Sequence, residues 1–252
     1  MIDRDSPLYG IAKLLLAAGA VLAAVAAWQK DEPPEPKLLR ADALDAPIQA
    51  PTKTRPFEVD IDGVTYRVKP RYSYDISGVV VSLHHSDSWW DYAHKEWNDK
   101  LNTMDLCIAW GDTVRSGAYQ DVSFSNTQFE CHMSYSSERA QRGFRLDEVS
   151  NNHIIVDDAG LARALKEIRV GDHVRLVGYL ADYTTLRNGV ATGTRVSSET
   201  RTDTGPGACE VLYLEAFDPM ASPNRRWRLA LWLGAALMAG GIALWLALPH
   251  RI

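Results

Sequence analysis

Hydrophobic residues gather at the two ends of this chain, and between them the pattern breaks into short alternating runs. Leu229 to Leu248 is twenty residues without a charge, enough to cross a bilayer as one helix. Trp227, Trp232 and Trp245 suit interfacial depth, and Arg225, Arg226 and Arg228 flank the start, so residues 227–248 read as a C-terminal transmembrane helix. Within it Ala235, Ala239 and Ala243 repeat every fourth position. This is either a small-residue row for a second helix or simply an alanine-rich span.

The first apolar segment, residues 8–28, is interrupted only by Lys13. It reads as an uncleaved anchor if Lys13 snorkels to the interface. Its short apolar core ending in Ala24-Val25-Ala26-Ala27 also has the form of a secretory signal, although Asp3 and Asp5 weaken the basic leader that signals need.

Residues 29–56 carry Pro33, Pro34, Pro36, Pro47, Pro51 and Pro56, a density that opposes regular helix and favours extended chain. They are expected to form a stalk. Residues 57–218 then form one domain. Phe57 to Ile61 and Val64 to Val68 alternate apolar and polar residues around Asp62-Gly63, a strong hairpin signal. Further strands are expected at Ile76–Leu83, Leu106–Trp110, Ala118–Phe124, Gln128–Met133, His173–Leu180 and Glu210–Phe217, with Gly78 marking a bulge or a close backbone approach. A helix over 87–101 would bury Trp90, Ala93, Trp97 and Leu101 on one stripe. A second short helix follows Asp157-Asp158. Gly189 to Arg195 reads as a loop, and Ser150 to His153 as Asx-type turns before Ile154.

The order of these elements, with Gly78 in Ser77-Gly78-Val79-Val80-Val81 and the run Gly171-Asp172-His173-Val174-Arg175-Leu176-Val177-Gly178-Tyr179-Leu180, resembles an OB-fold barrel over about residues 74 to 217. That resemblance implies a mainly β fold, an OB-like barrel with short helices, added to two transmembrane helices. Ser150-Asn151-Asn152-His153 and the stretch from Arg201 to Glu210 are also similar to segments of uncharacterised bacterial membrane-anchored or secreted proteins, a likeness that carries no activity.

Charge narrows the partners. A formal net charge of −5, with no Lys/Arg-rich run away from the membrane flanks, makes nucleic acid an unfavoured ligand. Stacking aromatics are nonetheless available in Trp89, Trp90, Tyr119, Phe124 and Tyr179. The basic residues nearest the spans, Lys30, Lys37, Arg40, Arg225, Arg226 and Arg228, lie on the domain side and favour a cytoplasmic domain. That rule loses force for loops beyond about 60 residues, and the signal-like start favours export. A periplasmic domain at a bacterial inner membrane is the expected arrangement. Cys107, Cys131 and Cys209 leave at least one thiol unpaired. Cys107 lies in an apolar run and reads as a small buried hydrophobe, and a Cys131–Cys209 bridge is the pairing to test.

Chemistry concentrates in His84 to His94. On a helix over 87–101, Asp87, Asp91 and His94 share a face, and His85 at the preceding strand end reaches the same place. Two imidazoles and two carboxylates suit zinc or a related divalent ion, so His85, Asp87, Asp91 and His94 are the candidate metal ligands. A solvated helix face is the plainer alternative, because no H-E-x-x-H spacing is present. His153 has no nucleophile at a diagnostic local spacing. Arg201 to Glu210, with Gly205-Pro206-Gly207, reads as a rigid turn more than an anion cradle. No serine-hydrolase elbow, dinucleotide fingerprint or EF-hand loop occurs. The expected function is therefore a membrane-anchored, non-catalytic OB-like domain with a protein partner. A metal-dependent hydrolase using the His/Asp cluster and a cytoplasmic single-strand-binding module are the alternatives, and no cofactor is assigned.

Overall fold

The computed structural model describes residues 7–200 and 209–248. They form two compact units, a helix pair and the region Pro33–Ser222.

In chain order the elements are α1 (Pro7–Gln29), β1 (Ile48–Pro51), β2 (Phe57–Ile61), β3 (Val64–His85), α2 (Ala93–Glu96), β4 (Asn102–Ala109), α3 (Gly111–Arg115), β5 (Val122–Asn126), β6 (Cys131–Tyr135), α4 (Glu138–Gly143), β7 (Val149–Ile155), α5 (Ala159–Leu165), β8 (His173–Arg187), β9 (Val190–Arg195), β10 (Glu210–Ala221) and α6 (Arg225–Ala247).

Both α1 and α6 are long and apolar enough to cross a membrane. They pack antiparallel. Tyr9 meets Trp245 edge-on, and a Cβ on Gly234 would lie 2.8 Å from the Ala23 nitrogen. Gly19, Gly234 and Gly241 line the contact, so the absence of side chains there is what lets the two backbones approach. The alanine row at 235, 239 and 243 is exposed and faces away from α1.

The domain is a mixed, barrel-like sheet of eight strands. The path β1-β3-β4-β7-β10-β8-β9 bends back because β3 also pairs with β8, giving a partial ring of β3, β4, β7, β10 and β8. All of its pairings are antiparallel except β7 with β10. The Asp62-Gly63 hairpin forms as its sequence requires, with φ of 47° and 79° and Ile61 opposite Val64. Two runs expected as separate strands are one continuous strand, β3, bulged near Pro70 and Val80. Inside the ring Ile76, Val80, Leu106, Ile108, Ile154, Leu176 and Leu212 pack together, capped by Leu165 and Ile168 at the end of α5. Asp158 accepts from the Leu161 N–H and starts that helix.

Several expectations are corrected. Residues 33–51 do not stand off as a stalk. Leu39 and Leu44 are buried against Val79, Ala109 and Tyr119, and the Pro34 carbonyl accepts from the Tyr119 hydroxyl. The 87–101 helix shrinks to the single turn α2. Tight turns at Ser88 and Asp91 precede it, and Asn98, at φ 53°, ends it. Trp90 and Trp97 are accordingly exposed, while Ala93 and Leu101 are buried. Ala118–Asp121 is a 3₁₀ turn, with strand starting only at Val122. Ser150 to His153 is not a turn but the buried middle of β7. The expected loop from Gly189 to Arg195 is instead strand β9 from Val190 on, reached through an Asn188-Gly189 turn with both φ positive. The disulfide joins Cys107 to Cys131, not Cys131 to Cys209, and ties the two-stranded β5–β6 hairpin to β4. Closing a loop of this length is worth about 3 kcal/mol by chain entropy.

Gly178 carries the tightest contact, since a Cβ there would lie 2.0 Å from the Tyr213 carbonyl oxygen on β10. Gly178→Ala is expected to destabilise the domain by about 3 kcal/mol by forcing β8 and β10 apart. Gly193→Ala, with nothing within 4 Å, should be nearly neutral. Thermal unfolding of the two variants side by side checks this, and equal midpoints would contradict it.

Candidate functional site

Successive side chains on a strand point to opposite faces, so the residues between those that fill the ring interior lie outside it. On that outer face His84 of β3, Asp105 of β4 and His153 of β7 stand in register, one beside the next across three neighbouring strands. The loop before α2 and α2 itself fold over this row and add Asp91 and His94 respectively. The β5–β6 hairpin adds Phe129 from its connecting loop.

Hydrogen bonds join these residues into one buried chain. Asp91 Oδ2 lies 2.7 Å from His84 Nε2 and 2.7 Å from His94 Nδ1, while its Oδ1 accepts from the His94 N–H at 3.0 Å. His94 Nε2 lies 2.9 Å from Asn102 Nδ2, which also reaches Asp105 Oδ1 at 3.3 Å. Asp105 Oδ1 is 2.6 Å from His153 Nδ1. His84, Asp91, His94, Asn102, Asp105 and His153 are all buried.

The proton positions follow from the chemistry of the ends. A carboxylate can only accept, so Asn102 must turn its NH₂ toward Asp105. The same NH₂ then donates to His94 Nε2, which leaves the His94 proton on Nδ1, where Asp91 takes it. Burial opposes a negative charge on Asp91. The hydrogen bonds from His84 and from the His94 backbone and ring outweigh it and hold the carboxyl below its ordinary value. Burial would likewise strip His153 of its proton. The Asp105 charge and its hydrogen bond reverse this and raise His153 to about 9.

Of the expected ligand set, the structure brings Asp91 and His94 together with His84, whose ligating atoms lie within 4.8 Å of one another. His85 and Asp87 do not join them. His85 is opposite Met104 and so belongs to the other face of β3, where burial lowers its pKa. Asp87 is exposed and pairs with Lys166 at 2.5 Å, which lowers its pKa. A cation on His94 Nδ1 would move the ring proton to Nε2, against the NH₂ that Asp105 holds there. Turning the amide over would set its oxygen against the Asp105 carboxylate. The donor set therefore fits a proton-filled network better than a cation while Asp105 stays charged.

Next to His153 opens a cavity of about 920 Å³, lined among others by Trp97, Phe129, Tyr183, Arg195 and Cys209. Phe129 is its hub. Trp97 stacks on it at 5.2 Å, the Arg195 guanidinium lies 4.4 Å from its centroid, and the rings of His94 and His153 meet it at 4.7 and 6.1 Å. Burial, then the Asp99 charge, push the Tyr183 phenol up; its hydroxyl donates to Asp99. In the cavity Arg195 Nη1 is buried without a hydrogen-bond partner, as are Asp105 Oδ2 and Asn102 Oδ1 in the hydrogen-bonded chain behind His153. Cys209, Asp105 and Arg195 were not legible as site residues from local spacing. Of the Arg201–Glu210 stretch, residues 201–208 lie outside the described residues. No family model, curated protein or solved structure matches this chain.

The raised His153 pKa fixes a pH dependence. A group whose folded pKa exceeds its unfolded value of 6.5 stabilises fully below 6.5, and that contribution is lost as pH rises through about 9. The unfolding midpoint is expected to fall over this window in the native chain and to stay flatter in His153→Gln, which differential scanning at stepped pH measures. Asp105→Ala, which breaks a buried pair, should cost about 3–5 kcal/mol. A loss within that of a surface substitution would show that the chain of bonds carries little.

Proposed function

We propose that this chain is a membrane-tethered binding domain of OB-like architecture, with the cavity around Phe129 as its ligand site. The observation that carries this is the meeting of a buried, unpartnered Arg195 N–H with the flat faces of Phe129 and Trp97 in one cavity. A buried cationic donor without a partner costs free energy, and an anionic ligand removes that cost. The expected ligand therefore carries an anionic group next to a flat apolar one, whether as a small molecule or as part of a protein partner. Exposed Trp89 and Tyr92 in the adjoining loop favour a macromolecular partner.

The OB-like reading is supported by the parallel β7/β10 pair in an otherwise antiparallel ring and by α5 between β7 and β8. The tether is supported by two apolar helices held together through Gly19, Gly234 and Gly241, a packing that a cleaved first segment would not need. The Cys107–Cys131 bridge favours an oxidising compartment, hence an exported domain at a bacterial inner membrane. The alternatives rest on less. Metal chemistry would use His84, Asp91 and His94 against the proton pattern above, and single-strand binding loses Tyr119, which is buried.

In full-length protein in nanodiscs, 4-fluorophenylacetate is expected to bind, read as broadening of its fluorine resonance relative to empty discs. Arg195→Gln should weaken binding about tenfold, the loss of one charge-assisted contact. No broadening, or equal broadening in the variant, would overturn the assignment. For the address, external protease should digest the domain in spheroplasts. Protection there, with digestion in inverted vesicles, would place it in the cytoplasm.

A further inference from the structure

Strand β9 ends the path of the sheet. Among the described residues it pairs with β8 alone, so its outer side is a free edge. Alternate residues of such an edge turn N–H and C=O away from the sheet, where water or another chain must meet them. Proteins commonly blunt free edges with lysine, proline or a covering segment. Val190-Ala191-Thr192-Gly193-Thr194-Arg195 has neither lysine nor proline and is exposed as far as Thr194. A bulge leaves Thr192 without an opposite residue and sets Val190 and Ala191 apart, so the regular edge begins at Gly193. That stretch is also a wall of the cavity. Tyr183 stands opposite Arg195 and Thr185 opposite Gly193, and strand alternation turns these four residues toward the cavity they line. Gly193 has no side chain, and nothing lies within 4 Å of where a Cβ would be, so a second backbone can approach there.

We propose that the partner is the C-terminal end of an extended peptide with an aromatic last residue, added as a strand beside β9. The inference rests on the cavity being the ligand site and names the class of its ligand. Two demands coincide here. The free edge offers main-chain hydrogen bonds in series, which an extended chain answers. Where that edge reaches Arg195, the unpartnered Nη1 offers a charge-assisted bond to a carboxylate. A peptide terminus carries a main-chain carboxylate directly beside its last side chain. Flat faces for that side chain are close by. The Arg195 guanidinium lies 4.4 Å from the Phe129 centroid, and Trp97, stacked on Phe129 with the ring planes 12° apart, remains exposed. With its carboxylate at Arg195, the peptide runs parallel to β9 and its upstream residues pass Gly193. Glu96 and Glu130, both exposed and both on the cavity wall, favour basic over acidic residues upstream. A free aromatic acid would meet Arg195 and the rings but leave the edge unanswered.

The test uses the full chain in nanodiscs and a fluorescein-labelled peptide, TKVTVF, with a free C-terminal carboxylate. The peptide should bind, read by fluorescence anisotropy, and should displace 4-fluorophenylacetate. The same peptide ending in an amide is expected to bind about tenfold more weakly, the loss of one charge-assisted contact. In Arg195→Gln the acid and the amide should bind alike. Strand pairing is tested on the peptide, with the protein unaltered. A methyl group on one backbone nitrogen should weaken binding about tenfold where that N–H faces β9, and a methyl on the next nitrogen along should leave it nearly unchanged. The two readings fail separately. If 4-fluorophenylacetate binds but the peptide neither binds nor displaces it, the peptide proposal is overturned and the cavity remains a ligand site. Equal binding of acid and amide to the native chain, or equal effects of methylation at successive nitrogens, would overturn it as well. If neither probe binds, both readings fall.

Discussion

Asp105 is the constraint on which the site depends. A carboxylate with no exposed surface, in the middle of a sheet strand, is tolerated only when it is paired and hydrogen-bonded. It has one partner of each kind, the protonated His153 and the Asn102 amide. Because Asp105 can only accept, it dictates the orientation of Asn102, the tautomer of His94 and the donor that Asp91 receives. One buried charge thereby sets the hydrogen positions of a chain reaching from β3 to the edge of the cavity. Low dielectric strengthens each link and also raises the cost of leaving any end unpaired. Such a network either holds one arrangement or fails as a whole.

The ring of strands supplies the register that makes this possible. His84, Asp105 and His153 face one another because β3, β4 and β7 align them, and the same alternation sends Leu106 and Ile154 inward to the core. A shift of one residue in β4 would bring Leu106 to the outer face and bury Asp105 in hydrocarbon, so core and site enforce the same register. Gly78 and Gly178 contribute by letting strands approach where a Cβ would meet a carbonyl oxygen. The disulfide extends this order outward, tying the β5–β6 hairpin to β4 and keeping Phe129 within reach of both imidazoles.

Local chemistry was legible in the sequence, and convergence was not. The Asp62-Gly63 hairpin, the cap at Asp158 and the two apolar helices follow from side-chain pattern alone. Asn188-Gly189 carried as clear a hairpin signal as Asp62-Gly63, yet the polar, exposed residues of β9 gave no alternation to confirm it. The cluster near residue 90 carries chemical side chains on a backbone that helical spacing misassigns. Helical spacing selected His85 and Asp87, whereas strand alternation puts His84, not His85, on the face of Asp105. His153 meets an aspartate 48 positions earlier across an antiparallel pairing that no short motif encodes.

The pairing of the cysteines bears on the compartment of the domain. With Cys107 and Cys131 joined, the bridge secures Phe129 over the cavity and leaves Cys209 as the free thiol. An oxidising compartment favours the bridge but threatens an exposed thiol. Cys209 meets that threat by its position. It is half-buried, donates to the Phe129 carbonyl, accepts from Asn151, and has no second free cysteine in the chain with which to pair. A reduced thiol next to a disulfide in one small domain is thus a consistent arrangement, with sequence separation and strand register deciding which sulfur stays free.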